Sequence, residues 1–453
     1  MPLKEQPIGW RIFRLAGPVL VEQVSLYFVG LSDTVLTGRM FSESHLAAVT
    51  VSSYLIWVVS AVMSIVSVGA TALVARMVGG GDWSGANSIA RQAVGMSLIV
   101  GLMVLIVGIG GSTTVIDAMN LEGETAERAA LFLRIVLLSA PLIACTSAGL
   151  ACLRGAGDTR TGMWVMVLVD VLNIGLSWGL IGGFGPLPAL GFAGIAAGTA
   201  ISESIGGLII LAVLAAGRSG LSLTTSGMIP RLESTRRLLR ISLPAAGESL
   251  TSVGCQLWFV GLINRLGPTA TAAHGVAIRC EAMAFLTISA FAVAASTLTG
   301  QSLGAGRPDL AARAVRLSWF AGVTTLSAMG VFLYWQAPNL FDLFLGGRQS
   351  EVTREGVTVL RIVVFAMPAL ATLNVLNGAL RGAGDTRWPW LVVILGCLFV
   401  RIPLTYLFTL PESSGGMGLG LAGAWYAMLL DLWVRSAIVT ARFLQGGWKR
   451  VRV

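Results

Sequence analysis

Leu153-Arg-Gly-Ala-Gly-Asp-Thr-Arg160 recurs residue for residue as Leu380-Arg-Gly-Ala-Gly-Asp-Thr-Arg387. The second occurrence lies 227 positions after the first (380 − 153), half the length of the 453-residue chain. The match continues upstream at the same offset, where Arg134-Ile-Val-Leu-Leu-Ser-Ala-Pro141 lines up with Arg361-Ile-Val-Val-Phe-Ala-Met-Pro368. An eight-residue identity at half the chain length, with matching flanks, identifies two copies of one unit.

Composition sets the solvent of those copies. Hydrophobic residues make up 55% of the chain and charged residues 12%, and the mean hydropathy is +0.80. A water-soluble domain carries about 25% charged residues. Half that proportion cannot cover a globular surface in water, so the chain is expected to sit in a bilayer. The net charge of +9 does not point to nucleic acid. The arginines fall in short gaps between apolar runs, where positive charge sets membrane orientation. The five cysteines lie in apolar runs without C-x-x-C spacing and read as small core hydrophobes. Two histidines, His45 and His274, are too few for chemistry built on a histidine cluster. Gly79-Gly-Gly81 is followed by no G-K-[ST], so no nucleotide site is expected, and no cofactor. The first apolar stretch contains Glu22 and Asp33 and has no small-residue cleavage site. It reads as a span and not as a removable signal peptide.

Apolar runs of about 20 residues, the length that crosses a bilayer, are placed near 12–37, 47–76, 88–116, 127–151, 162–184, 191–217, 238–263, 272–302, 312–337, 354–379, 389–410 and 420–443. The expected fold is an all-α integral membrane protein of twelve transmembrane helices in two parallel six-helix lobes. The N-lobe is 1–217, a cytoplasmic linker 218–237, and the C-lobe 238–453. An even number of helices per copy makes the copies parallel repeats. Further pairs support the alignment: Pro18 and Glu22 with Pro244 and Glu248, and Ala70–Gly81 with Ala295–Gly306. Arginine concentrates in the gaps after even-numbered spans (Arg91, Arg154, Arg160, Arg218, Arg231, Arg307, Arg381, Arg387) and at both ends (Lys4, Arg11, Arg14, Arg450, Arg452). The other gaps are acidic or poor in arginine (Asp117, Glu122, Glu124, Glu412, with Arg265 and Arg348). The positive-inside rule then puts both termini in the cytoplasm. The repeated phrase becomes a cytoplasmic turn in which Gly155, Gly157, Gly382 and Gly384 allow tight turning. Asp158 and Asp385 cap the following helix, and Arg154 and Arg381 anchor that side of the membrane.

A charged side chain at mid-bilayer costs about 2.5–3.5 kcal/mol on insertion scales, so such residues face a cavity or a partner. Asp33 reads either as a functional acid or as an interfacial acid capping the next turn. Glu22, repeated as Glu248, suits a structural role near the proline or between the copies. Asp170 and Asn173, three apart, share a helical face that Ser177 continues. That face reads either as a site for a proton or Na⁺ or as an interhelical clamp. In copy two the place of Asp170 falls on Cys397–Val400, followed by Arg401. Copy two offers Gln256, Asn264, Arg279, Glu281, Asn374 and Asn377 instead, and Gln23 belongs with the polar residues of the first span. Asp431 and Arg435, four apart, are expected to pair with each other.

The opening Leu15-Ala-Gly-Pro-Val-Leu, Leu31-Ser-Asp-Thr-Val-Leu-Thr-Gly-Arg39 and His45-Leu-Ala-Ala-Val, together with the doubled phrase, resemble the multidrug and toxic compound extrusion (MATE) family over essentially the whole chain. The resemblance is to its drug-damage-like bacterial and archaeal branch. It implies cation-coupled export of drugs and toxic compounds, mostly cationic or amphipathic. Asp33 matches that branch's first-helix acid, and Asn173 its fifth-helix asparagine. The chain departs from the branch where a second acid would follow that asparagine by one turn, because Ser177 stands there and Asp170 lies one turn before. The acids of the seventh and tenth helices that look like a cation site in other branches are not evident.

The resulting expectation is an antiporter, coupled to H⁺ in preference to Na⁺, that exports small organic, cationic compounds by alternating access. It resides in the plasma membrane, with the lipid bilayer as its partner and no nucleic acid or nucleotide. Asp33, Asp170 and Asn173 would carry the coupling ion. Gln23, Ser177, Gln256, Arg279, Asn374 and Asn377 would line the substrate cavity. One rival is a flippase of lipid-linked precursors, for which extra helices and a cationic cavity would be expected. The other is a polytopic membrane enzyme, which would need a nucleophile–base pair or metal set that two histidines and scattered cysteines do not supply.

Overall fold

A computed structural model describes residues 7–118, 123–224, 227–345 and 351–451. Among these the regular structure is helical throughout. That is the form in which a chain in hydrocarbon satisfies its own backbone hydrogen bonds. Lys4, Glu122, Arg348 and Arg452, used above to orient the chain, lie outside the described residues.

The chain divides into two compact units, Gly17–Ala246, and Met1–Ala16 with Gly247–Val453. The first copy supplies α1 (Ile8–Met40), α2 (Glu43–Met63), α3 (Ile65–Gly80), α4 (Trp83–Ala118), α5 (Gly123–Leu137), α6 (Ala140–Ala156), α7 (Thr159–Gly182) and α8 (Ala193–Ala215). The second supplies α9 (Leu232–Arg265), α10 (Pro268–Gly304), α11 (Pro308–Leu345), α12 (Glu351–Val364), α13 (Met367–Ala383), α14 (Arg387–Gly396), α15 (Ile402–Thr409) and α16 (Gly420–Gln445). Among the described residues, eight helices are long and apolar enough to cross a membrane, and ten spans result if each of two bent pairs counts as one. α9 and α16, 34 and 26 residues long, are also long enough to cross a bilayer. With them the structure is consistent with twelve spans. Large apolar side chains point outward, with Ile106 and Val107 71% and 69% exposed and Trp335 75% exposed. Such faces suit lipid, not water.

The sequence repeat reappears as a repeat of shape. α5 meets α6 at 54°, and α12 meets α13 at 51°. Pro141 and Pro368 occupy the first turn of the second piece in each pair. Proline lacks the N–H that would carry the hydrogen-bond ladder on from the first piece into the second. Pro18 and Pro244 behave differently and lie inside continuous helices.

The doubled phrase is the last turn of a helix plus its cap. Gly157 and Gly384 adopt φ of +90° and +84°. Their N–H groups bond to the carbonyls of Arg154 and Arg381, and those of Asp158 and Asp385 to Leu153 and Leu380. This is the paired closure of a left-handed C-terminal cap. Gly155 and Gly382 serve another purpose. A Cβ on Gly155 would sit 2.9 Å from the Thr71 carbonyl oxygen, and one on Gly382 would sit 2.1 Å from that of Ser296. The first glycine of each phrase therefore lets α6 press on α3, and α13 on α10.

The arginines and aspartates are more engaged than a surface turn requires. Arg154 pairs with Glu22 of α1. Arg381 holds Glu248 of α9 with Nη2–Oε1 and Nε–Oε2 contacts of 2.6 and 3.1 Å. Each of these arginines thus has an ion-pair partner within its own unit. In each copy the phrase grips the carboxylate four residues past the proline of its first helix. Asp158 caps α7, accepting from Thr161 N–H at 3.0 Å and Thr161 Oγ1 at 2.7 Å, and also from Ser219. Burial alone would raise its pKa, but these bonds and the Arg218 charge outweigh it and hold the carboxyl below its usual value. Asp385 does not cap. It accepts from Arg442 Nε and Nη2 at 3.1 and 2.8 Å, and the Arg442 guanidinium stacks on Trp388.

Candidate cation-coupling site

The polar face of α7 is buried in the unit Gly17–Ala246. Asp170, Asn173 and Ser177 are 5%, 3% and 0% exposed. Ser25 Oγ on α1 donates to the Asp170 carboxylate and also to the carbonyl of Glu22. Asn173 Nδ2 donates to Thr199 Oγ1 of α8 at 3.1 Å, and Ser177 Oγ bonds to the Ile195 carbonyl at 3.4 Å. Gly198 explains how close α8 comes, since a Cβ there would lie 2.5 Å from Ser177 Oγ. Two further acids, Glu203 of α8 and Glu22, act electrostatically on Asp170. Asp170, Asp33 and Glu203 have no arginine or lysine partner among the described residues.

Asp33 lies on α1 eight residues beyond Ser25, about 12 Å along the helix axis at 1.5 Å per residue. No hydrogen bond joins it to Asp170 or Asn173 among the described residues. Its Oδ1 is buried and has no hydrogen-bond partner among the described residues, and the same holds for Oδ1 of Asn173. Gln23 is partly buried and makes no side-chain hydrogen bond among the described residues. Of the coupling residues named from the sequence, Asp170 and Asn173 therefore share one buried face, and Asp33 stands apart on α1. Among the described residues no group of three or more His, Cys, Asp or Glu is arranged to hold a metal ion.

In the unit holding Gly247–Val453, Asn377 Nδ2 lies 3.4 Å from Glu248 Oε1, beside Arg381. Asn374 Nδ2 bonds back to the Leu370 carbonyl at 2.9 Å. Gln256 is partly buried, and Arg279 is exposed. Only Asn377 joins a polar cluster. A second cluster is larger: Asp431 accepts from Arg435 Nε at 2.6 Å and from Arg401 Nε at 2.8 Å, all three residues being buried. Arg401 belongs to a wide π turn, Cys397–Arg401, between α14 and α15. At the constant offset of 227, Cys397 stands in the place of Asp170.

Sequence reasoning gave no role to Ser25 or Thr199. Ser25 is one helical turn past Glu22, the spacing that puts both on one face. Thr199 and Glu203 are four apart on α8, which could have marked a polar face. His274 is buried between Phe259 and Trp425 at ring distances of 5.9 and 5.5 Å, with both ring nitrogens unpartnered. Glu281 Oε2 is also buried and unpartnered, with Arg401 acting on it electrostatically.

Comparison with known proteins covers both copies. The model of the MatE family matches residues 18–178 and 244–407. The chain is 28% identical over 452 residues to a probable multidrug resistance protein NorM of Thermotoga maritima, covering 99% of this chain and 95% of the relative. It is 25% identical over 439 residues to the uncharacterized transporter YisQ of Bacillus subtilis, covering 96% and 94%. Among solved structures, a MOP superfamily transporter from Pyrococcus furiosus superposes with TM-score 0.90 at 22% identity, covering 99% of this chain and 98% of that one.

Proposed function

Because the chain belongs to the MatE family of membrane transporters, we propose that it is a cation-coupled multidrug exporter working by alternating access, with both termini cytoplasmic in a plasma membrane. The lobes are proposed as 1–217 and 238–453, joined by 218–237. H⁺ is the proposed coupling ion in preference to Na⁺, and the substrates are small organic cations and amphipathic compounds.

One observation carries this reading. In the unit Gly17–Ala246, Asp33 and Asn173 each bury an acceptor oxygen to which no described residue donates. Leaving such groups unsatisfied in an apolar interior is costly, and a positive species relieves it: a proton, Na⁺ or a cationic substrate. Asp33 takes the proton, and Asp170 with Asn173 forms the polar wall of the same unit. Gln23 and Ser177 contribute to substrate contact in this unit, and Gln256, Arg279, Asn374 and Asn377 in the other. Protonation of Asp33 removes the charge that holds a cationic substrate, so ion and substrate compete, which is the coupling that antiport requires. The unpaired charges buried here are carboxylates, which disfavours a flippase of anionic lipid-linked precursors.

The test is efflux of a fluorescent cationic dye from proteoliposomes with an imposed pH gradient. Asp33→Asn should abolish gradient-driven efflux while leaving the protein folded. Efflux at the wild-type rate would refute the role of Asp33, and efflux that ignores the pH gradient but requires Na⁺ would refute proton coupling.

A further inference from the structure

The segment that follows α8 is strapped to the first turns of α4. Ser222 N–H bonds to Asn87 Oδ1 at 2.7 Å. Gln92, 1% exposed, donates through Nε2 to the carbonyls of Gly227 and Ile229 at 2.7 and 2.9 Å. Its Oε1 accepts from Arg231 N–H at 2.6 Å. The strap lies so close that a Cβ on Gly95 would be 1.9 Å from the Met228 carbonyl oxygen. Gly227 itself adopts φ +99°, and the Arg91 guanidinium lies across it.

Between strap and helix is a cleft of about 240 Å³ lined by Ser88, Arg91, Gln92, Gly227 and Arg231. That is room for several waters at about 30 Å³ each. Ser88 and Arg91 are three apart on α4 and share a face. Arg91 is fixed in place, donating to Thr224 Oγ1 at 2.8 Å and to the Asn87 carbonyl at 3.3 Å. The Arg231 guanidinium has no partner among the described residues. Among the described residues no carboxylate lines the cleft. Two guanidiniums and a hydroxyl around a small cleft form a donor set without an acceptor charge, the chemistry that selects phosphate.

Position narrows the source. Ser219 of the strap donates to Asp158 of the repeated phrase, and Gly220 packs on the indole of Trp83 at the start of α4. Trp83 is 41% exposed, as befits an aromatic residue at a membrane–water boundary. We infer that this cleft binds a phosphate-bearing anion, supplied either by the headgroup of an acidic lipid or by free phosphate.

The test is ligand binding by native mass spectrometry on the full-length protein in detergent, with phosphatidylglycerol, phosphatidylcholine or inorganic phosphate added. Arg231→Gln and Ser88→Ala remove donors from the cleft, Arg231→Lys keeps the charge, and Arg236→Gln removes an exposed charge from the same end of the unit. Wild type should prefer phosphatidylglycerol to phosphatidylcholine. Arg231→Gln should weaken that binding about tenfold, the scale of one charge-assisted hydrogen bond. Arg231→Lys should recover part of it, and Arg236→Gln should leave it unchanged. Competition by inorganic phosphate at these same residues assigns the site to free phosphate as well, and its absence assigns it to lipid alone. Equal binding by wild type, Arg231→Gln and Ser88→Ala overturns the inference, as does an equal loss in Arg236→Gln.

Discussion

Replacing Arg381 with glutamine tests whether the doubled phrase holds each copy together through its first helix. Glu248 is only 5% exposed at its side chain, and Arg381 supplies its salt bridge. Removing one member of a buried pair costs about 3–5 kcal/mol, because the other charge stays buried without a partner. The Arg381 side chain is 34% exposed, so water reaches the pair and the low end, about 3 kcal/mol, applies. For a unit of roughly 200 residues this lowers Tm by roughly 6–12 °C. The assay is thermal unfolding of purified protein in detergent, followed by intrinsic tryptophan fluorescence. Glu248→Gln added to Arg381→Gln removes the orphaned charge and should restore about half of the loss, as expected for groups that interact directly. Arg154→Gln should behave alike through Glu22, which is 8% exposed at its side chain. The reasoning fails if Arg381→Gln shifts Tm by less than about 2 °C, or if the double variant is no more stable than the single one.

Gly382→Ala should destabilise by about 1–3 kcal/mol, and by more than Gly155→Ala, since the added carbon meets a carbonyl oxygen at 2.1 Å in one case and 2.9 Å in the other; chemical denaturation of the two variants ranks them. Asp158→Ala removes a helix cap and should cost about 1 kcal/mol, whereas Asp385→Ala frees Arg442 without uncapping a helix; amide hydrogen exchange at the start of α7 should rise in the first variant, with no matching rise at the start of α14 in the second. Ser25→Ala leaves Asp170 without its α1 donor and should change the pH profile of dye efflux; an unchanged profile would remove Asp170 from the coupling site.

The parts of the fold legible in the sequence were those set by local rules repeated at a fixed offset. Gly157 and Gly384 mark the two tight turns and Pro141 and Pro368 the two bends, because glycine and proline act on the backbone within one turn of themselves, although Pro18 and Pro244 carry the same proline signal inside unbroken helices. The pairings of Glu22 with Arg154 and Glu248 with Arg381 were not legible, although all four residues stood in matched positions. Pairing across more than 130 residues depends on how each helix is rotated about its axis, and charge spacing along the chain does not report that. The same limit hid Ser25 as the partner of Asp170. Asp170 and Asn173 were recognisable because i, i+3 spacing is local. The relation of Asp33 to them is a matter of height along two different helices. The polar connector after α8 reads as a plain linker, and nothing local signals that the buried Gln92 binds it down.

The wide turn at Cys397–Arg401 has a consequence for how the two halves of the chain are compared. α7 is α-helical throughout, whereas α14 passes through a π turn before α15. A single such turn advances the chain by a residue without the matching rotation, which turns everything beyond it by about 100° relative to an unbroken helix. Numbering therefore matches direction up to Gly396 and ceases to do so afterwards. Val400 is the numerical counterpart of Asn173, yet an asparagine grafted there would look out along another bearing. The duplicated gene product has in this way escaped its own symmetry with one relaxed turn, keeping identical ends while orienting two interiors independently.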